Sequence, residues 1–311
     1  MRGKSSQEDR ALAECPLSVV IPTAQPWPEM RGVLDSVYEQ TRALGAELIV
    51  VDGNAHSLCE DHGYAGVRWL RRPGYDVFQL RAIGLAEARG EVVAVTEDHC
   101  RVAPDWCEQV LRAHRENPHA AAIGGVVDNG AVDSPWDRAA FFISSGAFLP
   151  PIPNGERPII NGQANISYKR WALPEKLPPH GMVVTDYTRD LRASGQILIN
   201  DDSLVVVHVL PLSALGNCLI HYHDGRCSAG FARARLGRAQ STYHVLRELL
   251  MPLRVAKDTV RIVARMVVRK PAYRWQAVMS WPLMVVILHF HAAGELMGYL
   301  YGPGNSPYGM R

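Results

Sequence analysis

The feature that most constrains the fold of this chain is an alternation of short apolar runs with helical stretches over roughly its first hundred residues. The runs are too short for buried helices and are closed by proline or polar residues, so they predict buried strands. The stretches around Met30–Tyr38 and over Phe78–Ala88 carry apolar residues at helical spacing. Strands that alternate with helices predict a doubly wound α/β sheet. The predicted strands are Leu17–Pro22, Glu47–Asp52, Val67–Leu70 and Val92–Thr96.

Acidic residues stand at the ends of two predicted strands. Asp52 closes the second strand, and Glu97, Asp98 and His99 follow the fourth directly. In sheets of this kind, ligands bind at the carboxyl ends of the strands. The sequence therefore predicts a binding site at this edge of the sheet.

The turn after the first strand, Pro22–Gln25, contains no glycine. This excludes the glycine-rich dinucleotide loop, and the lysine-containing phosphate loop is also missing from the sequence. The phosphates of a nucleotide would then need another source of positive charge, and a metal ion held by the acids after the fourth strand is the natural candidate. The mixture of Asp, Glu and His suits Mg²⁺ or Mn²⁺.

The overall composition excludes some classes of protein. The 33 Lys and Arg residues against 31 Asp and Glu residues give a formal net charge of +2, which argues against a nucleic-acid partner. The six cysteines form no C-x-x-C pair, as expected of a reduced cytosolic protein. Residues 1–15 are polar and predict a disordered tail without a signal peptide, which places the N-terminal part in the cytoplasm.

The last third of the chain is basic and apolar. Twelve Arg and Lys residues but only two acids lie between Arg226 and Arg274. Some of these cations recur every three or four residues and predict a basic amphipathic helix, which suits an anionic membrane surface or, alternatively, a solvated helix face. They are Arg254, Lys257, Arg261, Arg265 and Arg269.

An uncharged stretch of nineteen residues, Gln276–Gly294, follows the basic segment. It is nearly long enough to cross a bilayer, but Pro282, His289 and His291 interrupt it. These residues favour a monotopic or re-entrant hairpin over a true span. We therefore expect residues 238–311 to form a membrane-associated helical appendage with an apolar hairpin.

Six segments in order resemble the family 2 glycosyltransferases, which have the GT-A fold. The resemblance runs from about Leu17 to Gly237 and implies a GT-A domain over residues 16–237 with a mixed sheet. The segments are the first strand, the second strand with Asp52-Gly53, the pair Arg81 and Gly84, the acids after Thr96, Asn161–Arg170, and Thr185–Gly195.

The resemblance implies an inverting transfer from a UDP- or GDP-linked sugar to a hydroxyl acceptor. Asp186 would be the general base, because one carboxylate must take the proton of the attacking hydroxyl. Donor-binding residues would be Pro22, Thr23, Asp52, Arg81, Glu97, Asp98 and Arg226. Acceptor-binding residues would be Asn165 and Thr185. Metal ligands would be drawn from Glu97, Asp98, His99 and His208, with Mg²⁺ or Mn²⁺ as the ion.

Two positions depart from the family pattern. The usual D-x-D metal motif reads Glu97-Asp98-His99, so either the outer pair or Asp98 could supply the ligands. Ala82 stands where the family often carries asparagine. His208 could lie near the metal or be an ordinary core histidine, and His223 could contact an anion together with Arg226.

Two other functions are compatible with the residues. A degenerate acid motif would leave a membrane-bound scaffold that no longer catalyses transfer. A metal-dependent phosphohydrolase could be built on His221 and His223. For an active transferase, the basic and apolar C-terminal third indicates the cytoplasmic face of the inner or plasma membrane and a lipid-linked acceptor, as in envelope polysaccharide or glycolipid assembly.

Overall fold

The computed structural model describes residues 15–56, 63–161, 164–176, 178, 180–248 and 250–310. Strands and helices alternate over the first part of the chain, as predicted, and helices alone make up the last part. The strands are β1 (Leu17–Thr23), β2 (Glu47–Asp52), β3 (Arg68–Arg71), β4 (Val92–Thr96), β5 (Cys100–Val102), β6 (Ala120–Asn129), β7 (Gly155–Glu156), β8 (Asn165–Lys169) and β9 (Ile197–His208). The helices are α1 (Trp27–Ala43), α2 (Val77–Glu87), α3 (Trp106–Glu116), α4 (Pro135–Ser144), α5 (Val184–Ala193), α6 (Ala214–Arg233), α7 (Arg238–Glu248), α8 (Met251–Arg269) and α9 (Arg274–Tyr301).

The strands of the described residues form one mixed sheet. Its order is β3-β2-β1-β4-β8-β6-β9-β5, and β7 pairs with β9. The four strands β3, β2, β1 and β4 run parallel, whereas β8 is antiparallel to both β4 and β6. The carboxyl ends of β1, β2 and β4 therefore lie at the same edge, where the sequence predicted a site.

The core of the sheet follows from its uninterrupted apolar strands. β1 and β4 are buried along their whole lengths, as expected of parallel strands covered on both faces. Helix α2 begins at Asp76, whose side chain accepts hydrogen bonds from the backbone of Phe78 and Gln79. The helix lies so close to β1 that a Cβ at Gly84 would stand 2.3 Å from Val20 Cγ1. Gly84 is thus required for close packing of α2 on the sheet.

The chain divides into two compact units. The first runs to Asp128 and resumes over Pro150–His208, and it contains the sheet. The second consists of Asn129–Leu149 and the chain from Val209 onward, and it is helical. The second unit includes α6, which the sequence analysis placed within residues 16–237; that domain boundary stays a prediction.

The helical unit is built around a close pairing of α6 and α9. A Cβ at Gly225 would lie 2.2 Å from the carbonyl oxygen of His291, and one at Gly294 would lie 2.0 Å from that of Tyr222. Small residues allow the two backbones this approach. Against the other side of α9, Val255 of α8 packs in one apolar cluster with residues of α9, namely Leu288, Ala292 and Val285.

The re-entrant hairpin expected within Gln276–Gly294 is not formed. One helix, α9, runs through this stretch and contains Pro282 in its interior. A proline removes a single hydrogen bond of the helix, and the packing of α9 on α6 and α8 holds the turns on either side. With the preceding turn, residues 271–301 are long and apolar enough to cross a membrane, with a mean hydropathy of 1.5 over their most apolar window.

Candidate active site

The ends of β1 and β2 bring the predicted nucleotide-binding residues together. Thr23 and Asp52 are neighbours in the parallel register, and both are buried. Asp52 Oδ1 accepts hydrogen bonds of 2.9 Å from the backbone and the side-chain amide of Asn54. The Asn54 side chain also donates to the carbonyl oxygen of Gln25. Asn54 therefore ties the two strand ends to each other, a role the sequence analysis did not recognise.

Asp98 joins the end of β4 to the turn after β1. Its Oδ2 accepts hydrogen bonds from the backbone nitrogens of Ala24 (3.0 Å) and Gln25 (3.2 Å). Its Oδ1 lies 2.9 Å from His99 Nδ1. Both carboxylate oxygens are thus engaged, and this arrangement makes Asp98 an orienting partner of His99, as carboxylates commonly are beside metal-binding histidines.

His99 lies at the centre of a compact cluster. Its Nε2 is 3.1 Å from His208 Nε2 and 3.4 Å from Glu97 Oε2. His208 reaches this position because β9 pairs antiparallel with β5 in a register that sets it opposite Cys100. One ligand atom from each of Glu97, His99 and Cys100 lies within 4.8 Å of the other two.

This cluster has the donor set of a divalent-metal site. It offers a carboxylate, imidazole nitrogens and a sulfur at mutual distances that one ion can bridge. The contact of Asp98 with His99 Nδ1 fixes the orientation of the imidazole ring, so that His99 Nε2 points into the cluster. Glu97, His99 and His208 were predicted as ligands from the sequence, whereas Cys100 was not, because a lone cysteine after a strand carries no spacing signal.

Charges within the cluster are strongly coupled. Burial opposes the charged form of His99, but hydrogen bonds and charges of Asp98 and Glu97 outweigh it and raise the pKa of His99 to about 10. Burial likewise opposes the ionised form of Glu97, yet His99 and Arg81 lower its pKa to about 2. Burial, followed by the charge of His99, lowers the pKa of His208 to about 3. Without an added cation, the cluster therefore holds an ionised Glu97 beside a protonated His99.

Arg81 connects this cluster to the segment that precedes α5. The guanidinium is buried, with Nη2 3.5 Å from Glu97 Oε1 and Nη1 donating to the carbonyl oxygen of Met182 at 3.2 Å. Burial lowers the pKa of Arg81 and the charge of Glu97 opposes this. Arg81 thus lies beside Glu97, and its role in donor binding stays a prediction; the contact with Met182 was not predicted.

The predicted base lies in the first turn of α5. Asp186 is partly exposed, and its Oδ1 accepts a hydrogen bond of 2.6 Å from Arg189 one turn later. Thr185, just before it, is exposed to solvent. Helix α5 thus presents a carboxylate and a hydroxyl near its amino end, where the helix dipole favours negative charge.

The side-chain amide of Asn165 has no hydrogen-bonding group left for an acceptor. The residue is buried, and both its amide oxygen and its amide nitrogen are used in the core. Asn165 Oδ1 accepts from Trp106 Nε1 (2.9 Å), and Nδ2 donates to the carbonyl oxygens of Val126 and Leu204. Asn165 was predicted to bind the acceptor, but in the structure it connects β8 with β6, β9 and α3.

Arg226 and the histidines around it belong to the helical unit. Arg226 Nε donates a hydrogen bond to the carbonyl oxygen of Gly302. Its binding to the nucleotide-sugar donor stays a prediction. His223 Nδ1 lies 3.1 Å from Ser306 Oγ. Burial, followed by the charge of His291, lowers the pKa of His221 to about 3. Among the described residues, none of these histidines belongs to a group of three or more potential ligands with metal-binding spacing.

Comparison with known proteins supports the fold. A mannosyltransferase from Pyrobaculum calidifontis, solved in complex with GDP-Man and Mn²⁺, superposes with a TM-score of 0.52 over 94% of each chain, at 18% sequence identity. This likeness shows that the sheet and its helices form a GT-A fold.

Two curated proteins are similar over parts of the sequence. A glucosyl-dolichyl phosphate glucuronosyltransferase from Haloferax volcanii is 31% identical over 99 residues, which cover 30% of this chain and 32% of that protein. An uncharacterized protein, y4gI, from Sinorhizobium fredii is 30% identical over 156 residues, covering 40% of this chain and 17% of that protein. The chain thus spans a third or less of the length of these relatives.

The family model of glycosyl transferase family 2 matches residues 18–183, which are more than half of the chain. This range contains the ends of β1, β2 and β4 with Asp52, Glu97, Asp98, His99 and Cys100, whereas Asp186 and His208 lie beyond it. The protein therefore belongs to glycosyl transferase family 2.

Proposed function

We propose that this glycosyltransferase moves a sugar from a UDP- or GDP-linked donor to a hydroxyl acceptor with inversion at the anomeric carbon. The observation that carries the proposal is the meeting of Thr23, Asp52 and the Glu97 cluster at one edge of the sheet within the family match. This edge is where a sheet of this type receives a nucleotide. The mannosyltransferase of similar fold was solved with GDP-Man, which supports a nucleotide sugar as donor.

The nucleotide would be received by the ends of β1 and β2. Asp52 would contact the ribose or base, and Asn54 holds its carboxylate in place through two hydrogen bonds. Pro22 and Thr23 would line the same pocket. Arg81 supplies a fixed positive charge beside Glu97, because its guanidinium is buried and held by the carbonyl oxygen of Met182.

The transfer itself would use Asp186 as the general base. Its carboxylate would take the proton of the acceptor hydroxyl while that oxygen forms a bond to the anomeric carbon. The bond from this carbon to the diphosphate oxygen breaks at the same time, and the nucleoside diphosphate leaves with the bonding electron pair. No covalent intermediate on the enzyme is needed. Arg189, bonded to Asp186 Oδ1, orients the carboxylate.

A divalent ion would be held by Glu97 and His99, with Cys100 or His208 completing the donor set. When bound, such an ion stabilises the negative charge that develops on the departing diphosphate. The residues contribute by fixing its position, since Asp98 orients His99 and Arg81 accompanies Glu97. Mg²⁺ and Mn²⁺ are both candidates, and the structural relative with Mn²⁺ supports the general class of ion.

The acceptor we propose is lipid-linked, and the enzyme would work at the cytoplasmic face of the inner or plasma membrane. The apolar helix α9 is one support. The name of the Haloferax volcanii relative, which indicates a dolichyl-phosphate-linked glucose as its acceptor, is another. A role in envelope polysaccharide or glycolipid assembly follows from such an acceptor.

The test combines donor binding with loss of the base. Thermal melts with UDP- and GDP-linked sugars, each with Mn²⁺ or EDTA, should identify one donor that stabilises the protein, by ~2.7 kcal/mol at a hundred times its dissociation constant. Asp186→Asn should keep this stabilisation but lower turnover by about 10²- to 10⁴-fold. Asp190→Asn, one turn later on the same helix and exposed, is the matched control and should keep its turnover. Full turnover by the Asp186 variant would disprove its role as base.

A further inference from the structure

Helix α8 has two different apolar sides. One side packs into the helical unit through Val255, Thr259 and Met266, which are all buried. The opposite side carries Leu253 and Val260, which are 70% and 67% exposed. In a helix on the surface of a soluble protein, that outer side normally carries polar residues. The outer apolar side of α8 is therefore unexplained by the packing of the unit.

The exposed apolar residues of α8 stand beside cations. Val268, 77% exposed, continues the stripe of Leu253 and Val260, while Lys257 and Arg261 are exposed along its edge. Two cations of the predicted basic face, Lys257 and Arg261, thus share the outer side of the helix with apolar residues. The helix contains one acid, and this Asp258 lies 3.4 Å from Arg261.

Arg254 does not belong to this outer side, although the sequence grouped it with the other cations. Its Nη2 lies 2.9 Å from Glu248 Oε2 and also pairs with Glu295. The side chain is largely buried between the carboxylates of α7 and α9. It therefore stabilises the helical unit from within and is not available to an outside partner.

The first half of α9 also exposes an apolar stripe. Trp275, Met279 and Val286 follow at helical spacing and are 68%, 76% and 40% exposed. Pro282 lies on the same stripe and is exposed. The guanidinium of Arg274 lies over the Trp275 ring, with its central carbon 5.7 Å from the ring centroid. An amphipathic aromatic beside a cation is typical of the boundary between lipid and water.

We infer that these outer sides of α8 and α9 dock into the headgroup region of an anionic bilayer. We call them the docking face, defined as Leu253, Lys257, Val260, Arg261, Val268, Trp275 and Met279. Apolar side chains would enter the boundary of the acyl chains, while Lys257 and Arg261 would meet lipid phosphates. This inference specifies the partner in the proposed membrane-linked function and rests on that proposal.

The charge pattern favours lipid over a protein partner. Protein interfaces surround a hydrophobic centre with a polar rim, whereas the charged residues of the docking face are the cations Lys257 and Arg261, with the single acid Asp258 beside them. The second half of α9 also argues for docking over crossing. It pairs with α6 through Gly294 and Gly298, and its Glu295 is bound to Arg254. The second half of α9 is therefore packed within the helical unit and cannot contact lipid.

The test measures co-sedimentation of the full chain with vesicles of phosphatidylcholine containing phosphatidylglycerol. Leu253→Ser/Val260→Ser/Val268→Ser should lower the partition coefficient by at least about tenfold, because apolar area no longer enters the bilayer. Lys257→Gln/Arg261→Gln should lower it by about fivefold for each charge removed, and this effect should fade at high salt. The matched controls are Ile159→Ser, 74% exposed in the sheet unit, and Arg115→Gln, exposed on α3; both should bind as wild type.

Three outcomes would overturn the inference. One is vesicle binding that neither set of substitutions changes while thermal melts show both variants folded. The second is equal binding of the wild type to vesicles with and without phosphatidylglycerol. The third is self-association of the lipid-free wild type that the triple substitution abolishes, which would assign the face to a second copy of the chain. Donor stabilisation is measured in the same variants, so loss of docking is distinguished from failure of the transferase proposal.

Discussion

His99 stands where the family pattern would put a carboxylate, and its Nε2 lies 3.1 Å from the Nε2 of His208. The pairing of β5 with β9 sets His208 opposite Cys100, so a residue far along the chain completes the cluster. The donor set is consequently richer in nitrogen and sulfur than an all-oxygen site. Ligands of this kind favour borderline ions over Mg²⁺.

We therefore expect the wild type to bind Mn²⁺ at least about tenfold more tightly than Mg²⁺, a difference of about 1.4 kcal/mol. His99→Asp replaces a nitrogen donor by oxygen and should narrow this preference. The variant would also have three consecutive acids at 97–99, whose carboxylates repel one another. Without metal it should therefore melt at a lower temperature than the wild type, and added Mg²⁺ should stabilise it more. Calorimetric titration and thermal melts measure both effects.

The matched control for this substitution is His119→Asp, because His119 is exposed and outside the cluster. It should change neither the metal preference nor the response to EDTA. Equal affinity of the wild type for Mg²⁺ and Mn²⁺ would contradict the assignment of imidazole ligands, whatever the activity of the protein.

Arg81 and Glu97 form a second coupled pair, and separating them should destabilise the protein. Arg81→Met keeps most of the aliphatic stem but removes one of the two buried positive charges beside Glu97, the other being that of protonated His99. Breaking a buried ion pair costs about 3 kcal/mol. Arg81→Met/Glu97→Gln should recover part of that loss, because the carboxylate that lost Arg81 is removed together with it. Urea unfolding of the single and double variants measures both free energies.

The burial of Arg81 is the reason to expect a large loss of stability there and almost none at an exposed arginine. The residue is 3% exposed, whereas Arg115 on α3 is exposed. Arg115→Gln should therefore leave the unfolding free energy within about 0.5 kcal/mol of wild type. If Arg81→Met unfolds at the same urea concentration as wild type, the contact with Glu97 contributes nothing to stability.

The parallel half of the sheet was predictable because its four strands are short apolar runs with clear ends. Glu47–Asp52 and Val92–Thr96 were predicted with the bounds that the structure gives, and the first strand was predicted one residue short. Helix α9 was predicted less well. Pro282 and two histidines suggested an interruption, but contacts with α6 and α8 hold the helix together. Local sequence does not contain those contacts.

The candidate site was predictable where residues follow a strand and unpredictable where the sheet brings distant strands together. Asp52 and Glu97 stand at strand ends, so topology alone places them at one edge. Asn165 appeared to be a site residue because a matching segment contains it, and sequence cannot reveal that its amide faces the core. Cys100 directly follows His99, but a lone cysteine carries no spacing signal, so its place in the cluster was missed.

The core position of Asn165 predicts a loss of stability on substitution. Asn165→Ala would leave Trp106 Nε1 and the carbonyl oxygens of Val126 and Leu204 without their partner. Unsatisfied buried groups cost about 1–3 kcal/mol, so we expect a loss of about 2–4 kcal/mol in urea unfolding. The KM for the acceptor should stay unchanged in the folded fraction. A raised acceptor KM with normal stability would restore the acceptor-binding role.

His114 gives the protein a predictable response to acid. Its ring is buried, with Nε2 2.9 Å from Ser167 Oγ, and burial together with the charge of Lys169 lowers its pKa from 6.5 to about 3. The unfolded chain therefore binds a proton that the folded protein does not. The stability that neutral His114 allows is complete above pH 6.5 and is lost as the pH falls toward 3, with a slope of up to about 1.4 kcal/mol per pH unit.

Replacing His114 by glutamine keeps a nitrogen that can bond Ser167 and removes the titrating group. We expect His114→Gln to have a shallower fall in the free energy of unfolding between pH 6.5 and 4 than the wild type, because one linked proton is lost. His119→Gln, at an exposed position, should keep the wild-type slope. Urea unfolding at half-unit steps of pH gives the slopes, and parallel curves for wild type and His114→Gln would show that the buried ring is not the source of the acid sensitivity.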